Sequence, residues 1–148
     1  MDLQWDINRL DKDTEGLIIL TNDGDMTFKL THPKYSFPKT YECLVKGIVD
    51  QKAVEQLSKG VESETDEGIY LTQPAVVEVM KYKMGASVLH ITISEGKKRQ
   101  IRKMCAAVSH PVIQLKRIAL GNLKDDHLKI GQWRKLTEKE IMYLKGLV

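Results

Sequence analysis

Residues 75–108, AVVEVMKYKMGASVLHITISEGKKRQIRKMCAAV, decide the fold class, because the spacing of apolar side chains changes within them. Ala75–Met84 and Ser87–Glu95 alternate apolar and polar residues on either side of Gly85, which predicts a β-hairpin. From Lys98 the period lengthens. Ile101, Met104, Cys105 and Val108 fall at i, i+3, i+4 and i+7, so Lys98–Val108 is predicted to be an amphipathic helix. Upstream, Thr40–Ile48 (TYECLVKGI) reads as another alternating strand, and Asp50 caps a helix over Gln51–Lys59 that Gly60 stops. Leu17–Leu20 (LIIL) reads as a buried strand before the turn Asn22-Asp23-Gly24, and Asp25–Thr31 as a short helix ended by His32-Pro33. Downstream, Pro111–Leu123 is strand-like with a break at Gly121-Asn122. Thr137-Glu138-Lys139-Glu140 is a capping box that opens a terminal helix with Ile141, Leu144 and Val148 turned inward. Hairpins mixed with helices, without βαβ regularity, predict an α+β fold with a mixed, mainly antiparallel sheet and flanking helices.

The 148 residues suit one domain spanning 1–148, with 42% hydrophobic and 29% charged residues, ordinary values for a globular protein. None of the apolar runs approaches the roughly 18 residues of a membrane helix. The start, MDLQWDINRLD, is acidic where a signal peptide is basic, so a cytoplasmic location without a membrane partner is expected. Cys43 and Cys105 fit neither a disulfide framework nor a zinc site. The net charge of +3 hides an asymmetry: residues 1–74 hold 8 basic and 14 acidic residues, residues 75–148 hold 15 and 6. Lys97 to Arg117 contains 7 basic residues and no acidic one, a block suited to a polyanion, although alone such a block is more often a solvated face.

Three clusters carry possible chemistry. Asp11, Asp13, Glu15 and Gly16 imitate the opening of a calcium loop, but the twelfth position is Asn22 where a bidentate Glu is required, and a β-type run replaces the second helix. In an extended segment Arg9 and Asp11 project to one side and Leu10 to the other, which would leave a carboxylate at a sheet end as nucleophile or base. From spacing alone a turn-forming Asp is the commoner outcome. On the predicted helix, Arg99 and Lys103 face away from the apolar stripe and Arg102 lies at its border, with Lys97 and Lys98 at the helix start. With the pair Lys116-Arg117, these residues suggest a nucleic-acid surface beside a carboxylate. Tyr41 reads as a sheet-face packer. His32, His90, His110 and His127 share no ligand spacing, so no metal is assigned.

In this order the motifs resemble those of the RsuA-type pseudouridine synthases, the branch that modifies bacterial ribosomal RNA. The matching residues are Arg9-Leu10-Asp11 with Thr14-Glu15-Gly16-Leu17 and Thr21-Asn22-Asp23-Gly24, then Lys39-Thr40-Tyr41. They continue with Glu95-Gly96, Arg99 to Met104, His110-Pro111-Val112 with Leu115-Lys116-Arg117, and Gly131-Gln132-Trp133-Arg134 with Leu136-Thr137. The resemblance implies conversion of a uridine in ribosomal RNA to pseudouridine, with no cofactor because no redox step occurs. It implies that Asp11 attacks the uridine or assists glycosidic cleavage, that Tyr41 packs on the base and assists proton removal, and that Arg102 pairs with the aspartate. Arg9 would hold the nucleotide out of its helix, and Ile101 and Leu115 would line the base pocket. Lys97, Lys98, Arg99, Lys103, Lys116 and Arg117 are expected to meet RNA phosphates. Arg99-Gln100-Ile101-Arg102 is more similar to members acting on large-subunit RNA than to those acting on small-subunit RNA. The family's first motif begins with Gly where Asn8 stands here, and its members carry an N-terminal RNA-binding domain and a further strand before it. Against that pattern the chain reads as an N-terminally short catalytic domain. A missing strand would leave a sheet edge open to self-association. The competing reading is the same fold kept as a catalytically idle RNA-binding module.

Overall fold

The structure, a computed structural model, describes residues 5–7 (backbone), 10–124 and 127–146. Among the described residues, ten strands and four α-helices follow one another as β1 (Trp5–Ile7), β2 (Glu15–Gly16), β3 (Ile19–Thr21), α1 (Gly24–Thr31), β4 (Lys39–Lys46), α2 (Gln51–Lys59), β5 (Glu62–Thr65), β6 (Gly68–Leu71), β7 (Val76–Lys83), β8 (Ala86–Ile93), α3 (Gln100–Ala107), β9 (Val112–Leu120), β10 (Leu123–Lys124) and α4 (Glu138–Lys145). The main sheet runs β10-β9-β4-β8-β7, antiparallel throughout, and β2 lies parallel along β9. Two separate antiparallel pairs, β1 with β3 and β5 with β6, complete the strands. This is the α+β architecture with a mixed, mainly antiparallel sheet that the sequence periods predict. Among the described residues no helix is long and apolar enough to cross a membrane.

One apolar cluster joins the central strands to α2 and α3. Cys43 and Val45 of β4, Leu89 and Ile91 of β8, and Leu115 of β9 meet Leu57, Ile101, Met104 and Cys105. Each helix turns its apolar stripe to the sheet, as the spacing at Ile101, Met104 and Cys105 requires. Asp50 accepts from the Ala53 amide at 2.9 Å and Asp23 from the Met26 amide at 3.1 Å, so both helices begin at side-chain caps. A second cluster gathers Met26 and Leu30 of α1, Phe37, Leu120, Leu123 and Leu144 of α4. Thr137 and Glu140 make the reciprocal capping box that opens α4.

Three local expectations need correction. The run Leu17–Leu20 is not buried on both faces: Ile19 is buried, while Ile18 and Leu20 are exposed, as in a strand covered on one side. Ile141 is exposed and only Leu144 of the described terminal-helix positions is deeply buried; Val148 lies outside the described residues. The β5–β6 hairpin has no counterpart in the sequence reading. Its strand ESET is polar at all four positions, and Gly68 at φ +113° supplies the turn geometry. The outermost strand, β7, is irregular between Val79 and Lys81 and carries Lys81 and Lys83, features that blunt a sheet edge.

Candidate active site

Strand register brings the site together. On β4, Tyr41 stands opposite Ile91 of β8 and Arg117 of β9. The β4–β9 register shifts between Thr40 and Tyr41, an irregularity of the kind that re-aims side chains next to functional sites. Lys39, two residues before Tyr41, shares its face of the strand. β2 then docks beside β9, with Glu15 opposite Lys116 and Gly16 opposite Arg117. Gly16 has φ +133°, and a Cβ there would collide with the Arg117 backbone, so only glycine permits this approach. The turn that precedes β2 is closed by the Thr14 amide donating to the Asp11 carbonyl at 3.0 Å. Asp11 is thereby carried to the mouth of a cleft of about 940 Å³.

Asp11, Tyr41, Arg117, Lys39, Ile101 and Leu115 all line that cleft. Its size falls within the roughly 300–1,000 Å³ usual for small-ligand pockets. Ile101 and Leu115 are buried in its wall, in the positions the resemblance implies for pocket lining. Lys97, Lys98 and Arg99 border it where β8 leads into α3. The extended geometry expected around Asp11 does not occur: Leu10 and Asp11 line the same cleft because the chain turns there. Arg9 lies outside the described residues.

Arg117 corrects the sequence reading most clearly. The sequence predicts it on the surface with Lys116, yet it is 1% exposed. Adjacent residues of a strand point to opposite faces, so Lys116 faces solvent and Arg117 enters the molecule. Its Nε and Nη2 donate to the Leu17 carbonyl at 2.9 and 2.6 Å. Burial pushes the guanidinium below its ordinary pKa, and the neighbouring Tyr41 hydroxyl opposes that shift. Lys39 is lowered in the same direction, by burial first and by Arg117 second.

Arg102 is displaced from its expected partner as well. Its Nη2 donates to the Asp13 carbonyl at 2.7 Å and lies 3.5 Å from the Asp13 carboxylate, rather than joining Asp11. Among the described residues, Arg99 is the guanidinium that pairs with Asp11, its Nη1 3.9 Å from Oδ2. Arg99 grips Asp13 with two bonds of 3.0 and 2.9 Å, and that bond holds the Asp13 carboxyl down at about 2. Lys103 is turned away from the cleft and donates to the Glu64 carbonyl of the β5–β6 hairpin at 2.7 Å.

The sequence reading gave Glu95 and Lys39 no role of their own. The Glu95 carboxylate accepts from the Tyr70 hydroxyl, from the Gln73 amide at 2.6 Å and from Gln100 Nε2 at 2.9 Å. It ties the hairpin, the end of β8 and the start of α3 into one wall. The available signals were the single acid ahead of the basic block and the i, i+2 spacing of Lys39 and Tyr41. Among the described residues no three His, Cys, Asp or Glu side chains gather as a metal site.

The fold and cleft define a class of protein, and sequence comparison agrees with them. The sequence model of the RNA pseudouridylate synthases matches residues 6–107, and the chain belongs to that family. It is 40% identical over 145 residues to ribosomal large subunit pseudouridine synthase B of Bacillus subtilis (97% of this chain, 58% of the relative). It is 38% identical over 134 residues to ribosomal small subunit pseudouridine synthase A of Escherichia coli (90% and 55%). A crystal structure of a pseudouridylate synthase superposes with a TM-score of 0.86 at 32% identity, covering 94% of this chain and 58% of the other. The chain therefore spans somewhat more than half the length of the relatives it matches.

Proposed function

We propose that residues 1–148 form the catalytic domain of an isomerase that converts a uridine of ribosomal RNA to pseudouridine. The observation that carries this reading is the convergence of Asp11, Tyr41 and buried Arg117 on one cleft walled by Ile101 and Leu115. A stacked uridine hides its glycosidic bond, so the nucleotide must be extruded into such a cleft. In this reading the Asp11 carboxylate attacks the nucleoside or assists cleavage of the bond from uracil N1 to the ribose. The uracil turns and rejoins the ribose through C5, which releases Asp11 where it had bonded; the C5 proton leaves to solvent and N1 takes up a proton in its place. Tyr41 packs on the base and assists that proton removal. Arg117, beside Tyr41, supplies the positive potential that the sequence assigned to Arg102. Lys97, Lys98 and Lys116 meet phosphates, and Arg9 holds the extruded nucleotide. No cofactor is required by an isomerisation of this kind.

Both subunit RNAs are substrates to try, because relatives named for each are similar to this chain. Large-subunit RNA comes first on the residues Arg99-Gln100-Ile101-Arg102. The test is tritium release from transcripts and partly assembled subunits labelled at uracil C5, comparing the wild-type chain with Asp11→Asn. Release by wild type alone supports the assignment. Equal release by both excludes Asp11 as the nucleophile. Silence from wild type with RNA binding preserved favours an idle binding module.

A further inference from the structure

We propose that Asp13 is a positioning residue: Arg99 and Arg102 of the α3 end grip its carboxylate and its backbone carbonyl, and this clasp sets the turn that presents Asp11. The inference rests on the function proposed above and adds a residue that takes no part in bond making. Four residues, Asp11 to Thr14, link Leu10 to β2 without any strand partner. Within the turn a single backbone bond, from the Thr14 amide to the Asp11 carbonyl, holds its shape. Asp13 supplies further anchors to α3. Its two carboxylate oxygens each receive one arm of the Arg99 fork, at 3.0 and 2.9 Å. Its carbonyl receives Arg102 Nη2 at 2.7 Å, and the same nitrogen lies 3.4 Å from Thr14 Oγ1.

Two local costs coincide with this clasp. Arg99 holds the left-handed backbone conformation, φ 55° and ψ 32°, which a side chain with a Cβ disfavours, and it makes no side-chain cap to α3. Arg102 Nε is buried without a hydrogen-bond partner among the described residues. Strain concentrated at one point, beside a cleft, is the pattern of a geometry kept for function. The fork also reaches Asp11, 3.9 Å away, so one guanidinium spans both carboxylates of the turn. An Arg99 engaged in this way is not the free phosphate contact that the sequence predicts. Asp13 stays ionised throughout the neutral range, so the clasp persists under assay conditions.

The two readings of Arg99 separate in kinetics. Tritium release would be measured for the full chain and for Asp13→Ala, Asp13→Asn, Arg99→Ala, the double Asp13→Ala/Arg99→Ala, and Asp11→Asn. RNA affinity would be measured for each at several salt concentrations. The clasp requires kcat to fall by about tenfold to a hundredfold in Asp13→Ala and Arg99→Ala. RNA affinity should stay within about twofold of wild type and its salt dependence unchanged. The double variant should lose no more than the worse single one, because both remove the same contact. A merely structural role would lower the unfolding midpoint without this split between kcat and KM at temperatures where every variant is folded. Normal kcat in Asp13→Ala, with Asp11→Asn silent, overturns the proposal alone. Weakened RNA binding by Arg99→Ala, with the salt slope reduced by about 1 and kcat unchanged, overturns it in favour of a phosphate contact. Activity retained by Asp11→Asn, or none in a wild-type chain that binds RNA, overturns the functional reading and this inference with it.

Discussion

Arg102-Lys103 on α3 and Lys116-Arg117 on β9 are both adjacent basic pairs, and the fold treats them differently. On the strand the pair is divided between two faces, leaving Lys116 in solvent and Arg117 buried beside Tyr41. On the helix consecutive residues are turned by about 100°, so Arg102 reaches the turn after Asp11 while Lys103 reaches the β5–β6 hairpin. Of the four charges, only Lys116 is exposed. A count of positive residues along the sequence therefore overstates the surface available to phosphates, and the surplus is spent on holding the cleft together.

The largest effect that can break this comparison comes from Arg117. Arg117→Ala removes both donors from the Leu17 carbonyl and empties a buried site, so unfolding should become easier by about 2–4 kcal/mol, with activity lost. A urea midpoint left unchanged would show that Arg117 is not part of the interior. Gly16→Ala attacks the same junction from β2. Its positive φ and the approach to the Arg117 backbone should cost about 1–3 kcal/mol, visible as a lower thermal midpoint. Lys116→Ala should do the opposite of Arg117→Ala: fold normally, keep kcat at saturating RNA, and lower the salt slope of RNA binding by about 1. Lys103→Ala should change RNA affinity less than Lys116→Ala, because its ammonium is held by the hairpin carbonyl.

The element types were legible because they depend on local periods. The Asp50 cap, the Gln51–Lys59 helix, the β7–β8 hairpin and the Thr137 capping box all sit where the residues indicate. The site was legible in part. Asp11, Tyr41, Ile101 and Leu115 do share one cleft, but the partners of the arginines do not follow from their order in the chain. Arg117 meets Tyr41 through cross-strand register, and Arg99 meets Asp13 across 86 residues, so both are products of tertiary structure. The β5–β6 hairpin was illegible because ESET lacks the alternation of a half-buried strand.

The smallest expected effect is on acid stability. Arg99 holds Asp13, and Arg134 holds Glu140, at about 2. Both carboxyls are depressed, so what they contribute to stability is complete above their ordinary values of 3.8 and 4.5 and is lost as the pH falls from there toward 2. Asp13→Asn and Glu140→Gln should each flatten the acid limb of a urea-midpoint profile and leave the neutral part parallel to wild type.

The most direct test of the central claim is nucleoside analysis of ribosomal RNA after incubation with wild-type chain and with Asp11→Asn, at concentrations where both bind equally. Pseudouridine should appear at a single position with wild type and be absent with Asp11→Asn. Its formation by Asp11→Asn at the wild-type rate would contradict the assignment of the cleft.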